Sequence, residues 1–265
     1  MRIKKIKQKD YLVSIIMNCH NGEKYLEQSL KSVINQSYKK WELIFYNNLS
    51  TDNSKKIVRH YNNDKRIKYF ESKKFLNLYD ARNQAVKKSK GDYVCFLDTD
   101  DFWKKNKLKI QIDFIKKNNC KILYSKFFIF NHIKKKKYLN RKKKLFSGNL
   151  TQSFLDDYSI GILTVILKRS IFDKIKFDKK YNIIGDFDFF LRASMLNKIH
   201  VINKPLATYR HHDQNMSNKR IDLHIKEFIY WLERNEYKLK SFNLLSLKFN
   251  IFKLKVKKIL KIKIN

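Results

Sequence analysis

Between Tyr11 and Leu97 the chain alternates short apolar runs with segments whose apolar residues recur at helical spacing, and the first, second and fourth runs end in polar loops. Tyr11–Met17 is an almost unbroken apolar run, as a strand covered on both faces must be. Glu23–Ile34 instead sets Tyr25, Leu26, Leu30 and Val33 on one helix face. Further on, Trp41–Tyr46 reads as a second strand, Thr51-Asp52 as the cap of a helix running towards Tyr61, and Ile67–Phe70 as a third strand. Ala81–Lys88 then reads as a third helix and Tyr93–Leu97 as a fourth strand. This alternation predicts an α/β fold with a mostly parallel sheet flanked by helices, in which ligands bind beyond the carboxyl ends of the strands.

Those ends carry the polar residues. The first strand runs into Asn18-Cys19-His20-Asn21-Gly22, the second into Asn47-Asn48-Leu49-Ser50-Thr51-Asp52, and the fourth into Asp98-Thr99-Asp100-Asp101. Three carboxylates within four residues repel one another, and a divalent cation relieves that repulsion; hard oxygen donors favour Mg2+ or Mn2+. Taken alone, the same residues also suit a solvated turn that caps the segment after Phe102-Trp103.

Composition excludes several classes. With 43% hydrophobic and 14% aromatic residues over 265 positions, the chain can bury a large core and is not a disordered segment. Cys19, Cys95 and Cys120 are odd in number and far apart, which fits neither a disulfide framework nor a Cys-x-x-Cys metal site and points to a reducing compartment. The apolar run near the N-terminus is too short for a membrane span or a signal segment, so a cytoplasmic location is expected. A formal net charge of +36 points to an anionic partner, although abundant Lys, Asn, Ile, Phe and Tyr are also what an AT-rich genome encodes. Basic residues are spread throughout, with no zinc pattern, RNP-type motif or helix-turn-helix signal, so a nucleic-acid partner is not expected.

The segments Ser14–Ile44, Asn47–Ser54 and Asp80–Trp103, in that order, closely resemble the N-terminal half of family 2 glycosyltransferases, which adopt the GT-A fold. The resemblance runs from about Tyr11 to Gln111 and resumes from Ile160 to Ser217. It implies an enzyme that moves a sugar from a nucleotide-sugar to an acceptor hydroxyl with inversion. By this resemblance Asn18, Cys19, His20 and Asn21 border the nucleobase, Arg82 lies near the nucleotide, Asp98 hydrogen-bonds the ribose, Thr99 and Asn48 belong to the nucleotide-sugar site, and Asp100 binds the metal bridging the diphosphate. Where the family usually has two aspartates before Gly-Ser, this chain has Asn47-Asn48-Leu49. The Asn48 amide can still accept a hydrogen bond from the base but can also donate one, so UDP is the favoured nucleotide with an altered partner.

In the second half Gly185-Asp186 stands where the family usually has Glu-Asp, so Asp186 inherits the position of the catalytic base, with Asp188 as a secondary candidate and Asp101 as another near the cation. Both Asp186 and Asp188 also suit the N-terminus of a helix. Tyr209–Ser217 resembles the segment that closes over the donor phosphates, with His212 at the usual histidine position, a candidate ligand to the metal.

From Phe114 to Leu155 the acidic residues are absent and Lys134–Lys137 and Arg141–Lys144 flank Tyr138-Leu139, which reads as a β-hairpin with a charged tip after the strand Ile122–Phe130, although Phe114–Leu155 also suits contact with an anionic glycan or lipid. From Tyr237 to Asn265 there are nine lysines and no acidic residue among many Phe, Leu and Ile. Its spacing is not cleanly helical, and it suits either an anionic membrane surface or packing against the domain or a second copy of the chain. The expected organisation is a GT-A domain over 1–217, with a nucleotide-sugar half over 11–111 and a smaller antiparallel acceptor side over 112–217, followed by a basic extension over 218–265. The expected acceptor is a glycan or glycolipid destined for lipopolysaccharide, lipooligosaccharide or capsule. The rival readings are an inactive nucleotide-sugar-binding scaffold and a basic nucleic-acid binder.

Overall fold

A computed structural model of the chain describes residues 10–213, 215 and 220–262. The strand and helix alternation is realised as β1 (Val13–Cys19), α1 (Glu23–Ile34), β2 (Trp41–Asn47), α2 (Ser54–Arg59), β3 (Ile67–Glu71), α3 (Leu78–Lys87) and β4 (Tyr93–Phe96). There follow β5 (Phe102–Trp103), α4 (Lys107–Asn118), β6 (Ile122–Asn131), β7 (Lys136–Leu139), α5 (Thr151–Asp156), β8 (Ile166–Lys168), α6 (Arg169–Lys174), α7 (Gly185–Leu196), β9 (His200–His211), α8 (Ile221–Asn235) and α9 (Leu245–Ile262). The strands form one mixed sheet in the order β3-β2-β1-β4-β8-β6-β9-β5, with β7 paired to β6. Strands β1 to β4 are parallel, whereas β8 pairs antiparallel with both β4 and β6. The hairpin is β6 and β7, in register from Phe128–Leu139 to Asn131–Lys136.

Each buried face has its own helices. Val13, Ile15 and Met17 pack with Leu26, Leu30 and Val33 of α1 and Leu108, Ile112 and Ile115 of α4. Ile16, Val94 and Phe96 face the other way, towards Ala85 and Val86 of α3 and Phe189 and Phe190 of α7. Burying each large aliphatic side chain contributes about 1.5–3 kcal/mol, so a truncation such as Leu30→Ala removes a fully enclosed anchor of α1. Within the described part of the extension, Ile225 is buried, and Trp231, Leu239, Leu247 and Ile251 join the α7 side of the core.

Three local expectations shift. Helix α3 begins at Leu78 rather than Ala81 because the Asn77 Oδ1 accepts the Asp80 N–H at 2.8 Å and caps the helix a turn earlier. Helix α2 is short and starts at Ser54, and Asp52 serves two helices, its Oδ1 accepting from Ser54 N and its Oδ2 from Glu23 N at the start of α1. From Leu245 to Ile262 the basic tail, whose spacing mixes two periodicities, is one continuous helix, α9, and Leu247 and Ile251 anchor one side of it on the domain.

Candidate functional site

The loops after β1 and β2 hold each other. Asn21 N donates to Ser50 Oγ at 3.0 Å, Asn21 Oδ1 accepts from Thr51 N at 2.8 Å, and Asn53 N donates back to Glu23 Oε2 at 2.8 Å. Both loops turn through a left-handed residue, Asn21 (φ 54°) and Leu49 (φ 58°). The loop after β4 reaches the same place: a Cβ on Gly22 would stand 2.7 Å from Thr99 Oγ1, so only glycine lets these two loops touch.

In this cluster His20 Nδ1 lies 2.9 Å from the Asn48 carbonyl oxygen, which fixes Nδ1 as the protonated nitrogen, and its ring meets Phe75 edge-on at 4.8 Å. The Asn48 side chain donates to Leu76 O (2.8 Å) and accepts from Leu76 N (3.0 Å). A carboxylate could not make the first of these bonds, so the amide at this position has a local structural cause. Cys19 is buried, and burial pushes its thiol upward and away from reactivity. Asn18 Nδ2 is enclosed without a hydrogen-bond partner among the described residues, a spare donor at the end of β1.

The carboxylates after β4 diverge. Arg82, buried on α3, donates through Nη2 to both Asp98 oxygens at 2.7 and 3.0 Å. Asp101 turns inward and accepts the Arg210 N–H of β9 at 2.9 Å; burial, then the neighbouring Asp100 and Asp98, push its carboxyl well above the usual carboxylate range. Asp101 therefore ties β9 to the loop. Asp100 remains at the cleft, its Oδ2 2.9 Å from His212 Nε2 and 3.4 Å from Asn215 Nδ2. Gln214, Met216 and Ser217 of the expected closing segment lie outside the described residues.

Among the described residues no cluster of three or more His, Cys, Asp or Glu side chains could enclose an ion. Asp100 and His212 nevertheless present one carboxylate oxygen and one imidazole nitrogen side by side. One carboxylate oxygen and one imidazole nitrogen would suit a divalent cation, and the nitrogen donor would favour Mn2+ over Mg2+.

Asp186, at the first turn of α7, accepts the Phe187 N–H at 2.8 Å, and the Tyr79 hydroxyl lies 3.5 Å from the same Oδ1. Burial raises its carboxyl above the usual range, opposed by the positive charge of Arg82. The loop ahead of it is held by Glu227 of α8, which accepts the backbone N–H groups of Asn182 (2.7 Å), Ile183 (2.9 Å) and Ile184 (3.1 Å). Asp188 points elsewhere: it takes Arg192 Nη2 at 2.6 Å on one oxygen and Trp231 Nε1 at 3.0 Å on the other, locking α7 to α8.

Sequence reasoning missed four residues of this region. The Tyr79 hydroxyl stands beside Asp186, burial and then the Asp186 charge push the Tyr158 hydroxyl well above its usual range, and that hydroxyl is buried with no partner among the described residues. Tyr25, whose hydroxyl is likewise unpartnered, packs its ring 5.1 Å from His212. Arg210 lies over the Tyr25 ring at 4.4 Å and donates Nε to the Asp100 carbonyl at 2.8 Å. Arg210 stands two residues before His212 and was open to notice; nothing in the sequence distinguishes the tyrosines from core residues.

Residues 14–192 match the family described as Glycosyl transferase family 2. The chain is 35% identical over 196 residues, 73% of its length and 74% of the relative, to the Escherichia coli UDP-Glc:alpha-D-GlcNAc-diphosphoundecaprenol beta-1,3-glucosyltransferase WfgD. It is 29% identical to the putative teichuronic acid biosynthesis glycosyltransferase TuaG of Bacillus subtilis, covering 79% of this chain and 82% of that one. Among solved structures it is similar to S. aureus TarS 1-349 in complex with UDP-GlcNAc (TM-score 0.67, 21% identity, 83% of this chain and 66% of that one). It is also similar to the mannosyltransferase PcManGT of Pyrobaculum calidifontis in complex with GDP-Man and Mn2+ (TM-score 0.63, 14% identity, 85% of this chain and 65% of that one). The chain thus spans about two thirds of the length of these solved relatives, and at such identities the likeness establishes the fold, GT-A.

Proposed function

The chain belongs to glycosyl transferase family 2 and is a glycosyltransferase, and from that premise we propose that it transfers a sugar from a UDP-sugar to a hydroxyl of a lipid-linked glycan with inversion. The observation that carries the reading is the single electrostatic neighbourhood around Arg82. Its guanidinium grips Asp98 on the donor side, while Asp186 lies within reach of both the Arg82 and Asp98 charges. That the Asp186 carboxyl feels the charges of both Arg82 and Asp98 supports reading these carboxylates, from distant stretches of sequence, as parts of one site.

The Asp186 carboxylate takes the proton of the acceptor hydroxyl, and that oxygen forms its bond to the anomeric carbon as the bond to the diphosphate breaks. A raised carboxyl is a stronger base than an exposed aspartate and suits this task. Asp100 and His212 would hold a divalent cation, which would supply charge neutralisation for the diphosphate. Asn18 Nδ2 and the hydroxyls of Tyr25 and Tyr158 offer enclosed donors for donor and acceptor oxygens.

The nucleotide and acceptor classes rest on relatives: WfgD is named for UDP-Glc and a diphosphoundecaprenol-linked sugar, and TarS is seen with UDP-GlcNAc. The test is a panel of UDP-, GDP- and dTDP-sugars with Mn2+, each assayed for binding and for transfer to a polyprenyl-diphosphate-linked sugar, with the product anomer read by NMR. UDP-sugar turnover with inverted configuration is expected; a retained anomer, or binding without transfer to any lipid-linked acceptor, overturns the reading.

A further inference from the structure

Helix α9 has two apolar faces. Leu247 and Ile251 are buried against the domain, and α9 is pinned further by Lys248 to Glu236 at 2.7 Å and Lys258 to Asp222 at 2.5 Å. A second set of apolar residues follows i, i+4, i+7, i+11 and i+14: Leu245, Phe249, Phe252, Val256 and Ile259. At 3.6 residues per turn these fall on one stripe, away from Leu247 and Ile251. They stay in water: Leu245 is 72%, Phe249 55%, Phe252 58% and Ile259 55% exposed. So many large apolar groups on one exposed helix face is the mark of an interaction surface.

The charges beside the stripe say what covers it. Lys253, Lys255 and Lys257 stand on its flanks with no acidic partner among the described residues, and Lys253 Nζ lies 4.4 Å from the Phe249 ring centroid. No acidic residue occurs from Tyr237 to the end of the chain. Two copies of such a face, in a chain of formal charge +36, would bring lysines against lysines. An apolar stripe between cationic flanks complements a surface with an apolar interior and anionic headgroups. Beside α5, on the side of α9 opposite the stripe, a cavity of about 500 Å3 is lined by Lys142, Lys143, Lys144 and Phe146 together with Asp156 and Asp157, the last of which holds Arg141. Asp156, on its rim, accepts Asn250 Nδ2 of α9 at 3.2 Å through its carbonyl.

We propose that the exposed face of α9 is a membrane-docking surface that inserts Phe249, Phe252 and Ile259 among the headgroups of an anionic bilayer. This goes beyond the transfer reaction and holds whichever sugar or acceptor is used. No described helix is long and apolar enough to cross a membrane, so the contact lies along the surface.

The test is vesicle flotation of the full chain with phosphatidylcholine vesicles prepared with and without phosphatidylglycerol, alongside sedimentation to read its oligomeric state. The wild type is expected to float only with the phosphatidylglycerol vesicles, and less so at high salt. Phe249→Ser/Phe252→Ser/Ile259→Ser, all at exposed positions, and separately Lys253→Gln/Lys255→Gln/Lys257→Gln, should each weaken flotation by about tenfold or more, since insertion and charge act together. Transfer to a short water-soluble acceptor should be unchanged in both. Flotation that survives the serine variant, equal flotation with neutral vesicles, or a wild-type dimer that the serine variant dissolves would each overturn the proposal, the last by assigning the stripe to a second copy.

Discussion

Tyr79 occupies the space that a side chain at position 185 would need: a Cβ on Gly185 would stand 2.5 Å from Tyr79 Cε2 and 2.6 Å from Cδ2. The tyrosine hydroxyl, meanwhile, donates to Ile183 O at 2.7 Å, so one side chain fixes the approach of the chain into α7 and sets the wall beside Asp186. Gly185→Ala is therefore expected to destabilise the fold by about 1–3 kcal/mol, as overpacking does. In a Tyr79→Ala background the same change should cost less, which urea denaturation of the four proteins in a double-mutant cycle will read.

Asp186→Asn should leave UDP-sugar binding intact while transfer falls by about 100-fold or more, the loss of a general base. Because burial raises the Asp186 carboxyl, the acid limb of the transfer rate should lie above the ordinary aspartate range, activity falling as pH drops and the carboxylate takes a proton. The sign for stability is the reverse of the usual aspartate: the folded state holds this proton to higher pH than the unfolded chain, so the site destabilises the fold as pH rises past the unfolded value. The asparagine variant should thus melt no lower than wild type at neutral pH. Unchanged turnover would remove Asp186 from the reaction.

Asp100→Asn and His212→Ala should each raise the Mn2+ concentration needed for half-maximal UDP binding by on the order of tenfold or more, the scale seen even for outer partners of metal ligands. Calorimetric titration of UDP at graded Mn2+ checks this. Asp188→Asn, a change in the Arg192 and Trp231 network, should lower thermal stability without altering the Mn2+ requirement.

Lys107 is fully buried, its Nζ bonded to Gln111 Oε1 at 2.7 Å and 3.9 Å from the Trp103 ring centroid. Burial pulls its ammonium down to about 8, so between that pH and the ordinary lysine value the unfolded chain binds the extra proton. Stability should therefore rise through that window, by up to ~3 kcal/mol, and the rise should be missing in Lys107→Met. Chemical denaturation of both proteins across the alkaline range measures the difference.

Much of the fold was legible because hydrophobic periodicity is a local signal: strands Trp41–Asn47 and Tyr93–Phe96 and helix Glu23–Ile34 stand within one residue of where the sequence puts them. Caps were less so. Asp52 sits beside the start of α2 in sequence, yet half of its bonding goes to α1, a contact only the fold creates. The tail misled for a related reason, since two apolar faces on one helix superpose two patterns and read as neither. At the site, Asp100 and His212 are singled out by the resemblance to family 2 glycosyltransferases, and the structure sets them 2.9 Å apart. Tyr25, Tyr79 and Tyr158 could not be singled out, because a tyrosine that borders a cleft has the same sequence surroundings as one in a core; only its enclosed hydroxyl or its neighbours distinguish it.

The mutual capping of Asn21 with Ser50 and Thr51, and of Glu23 with Asp52 and Asn53, has an engineering consequence. Neither loop is an independent cassette. A change of nucleotide preference attempted by transplanting one of them from another enzyme would strand the hydrogen-bonding groups of the other, whereas moving 18–23 and 47–54 together carries the whole interlocked unit into its new host.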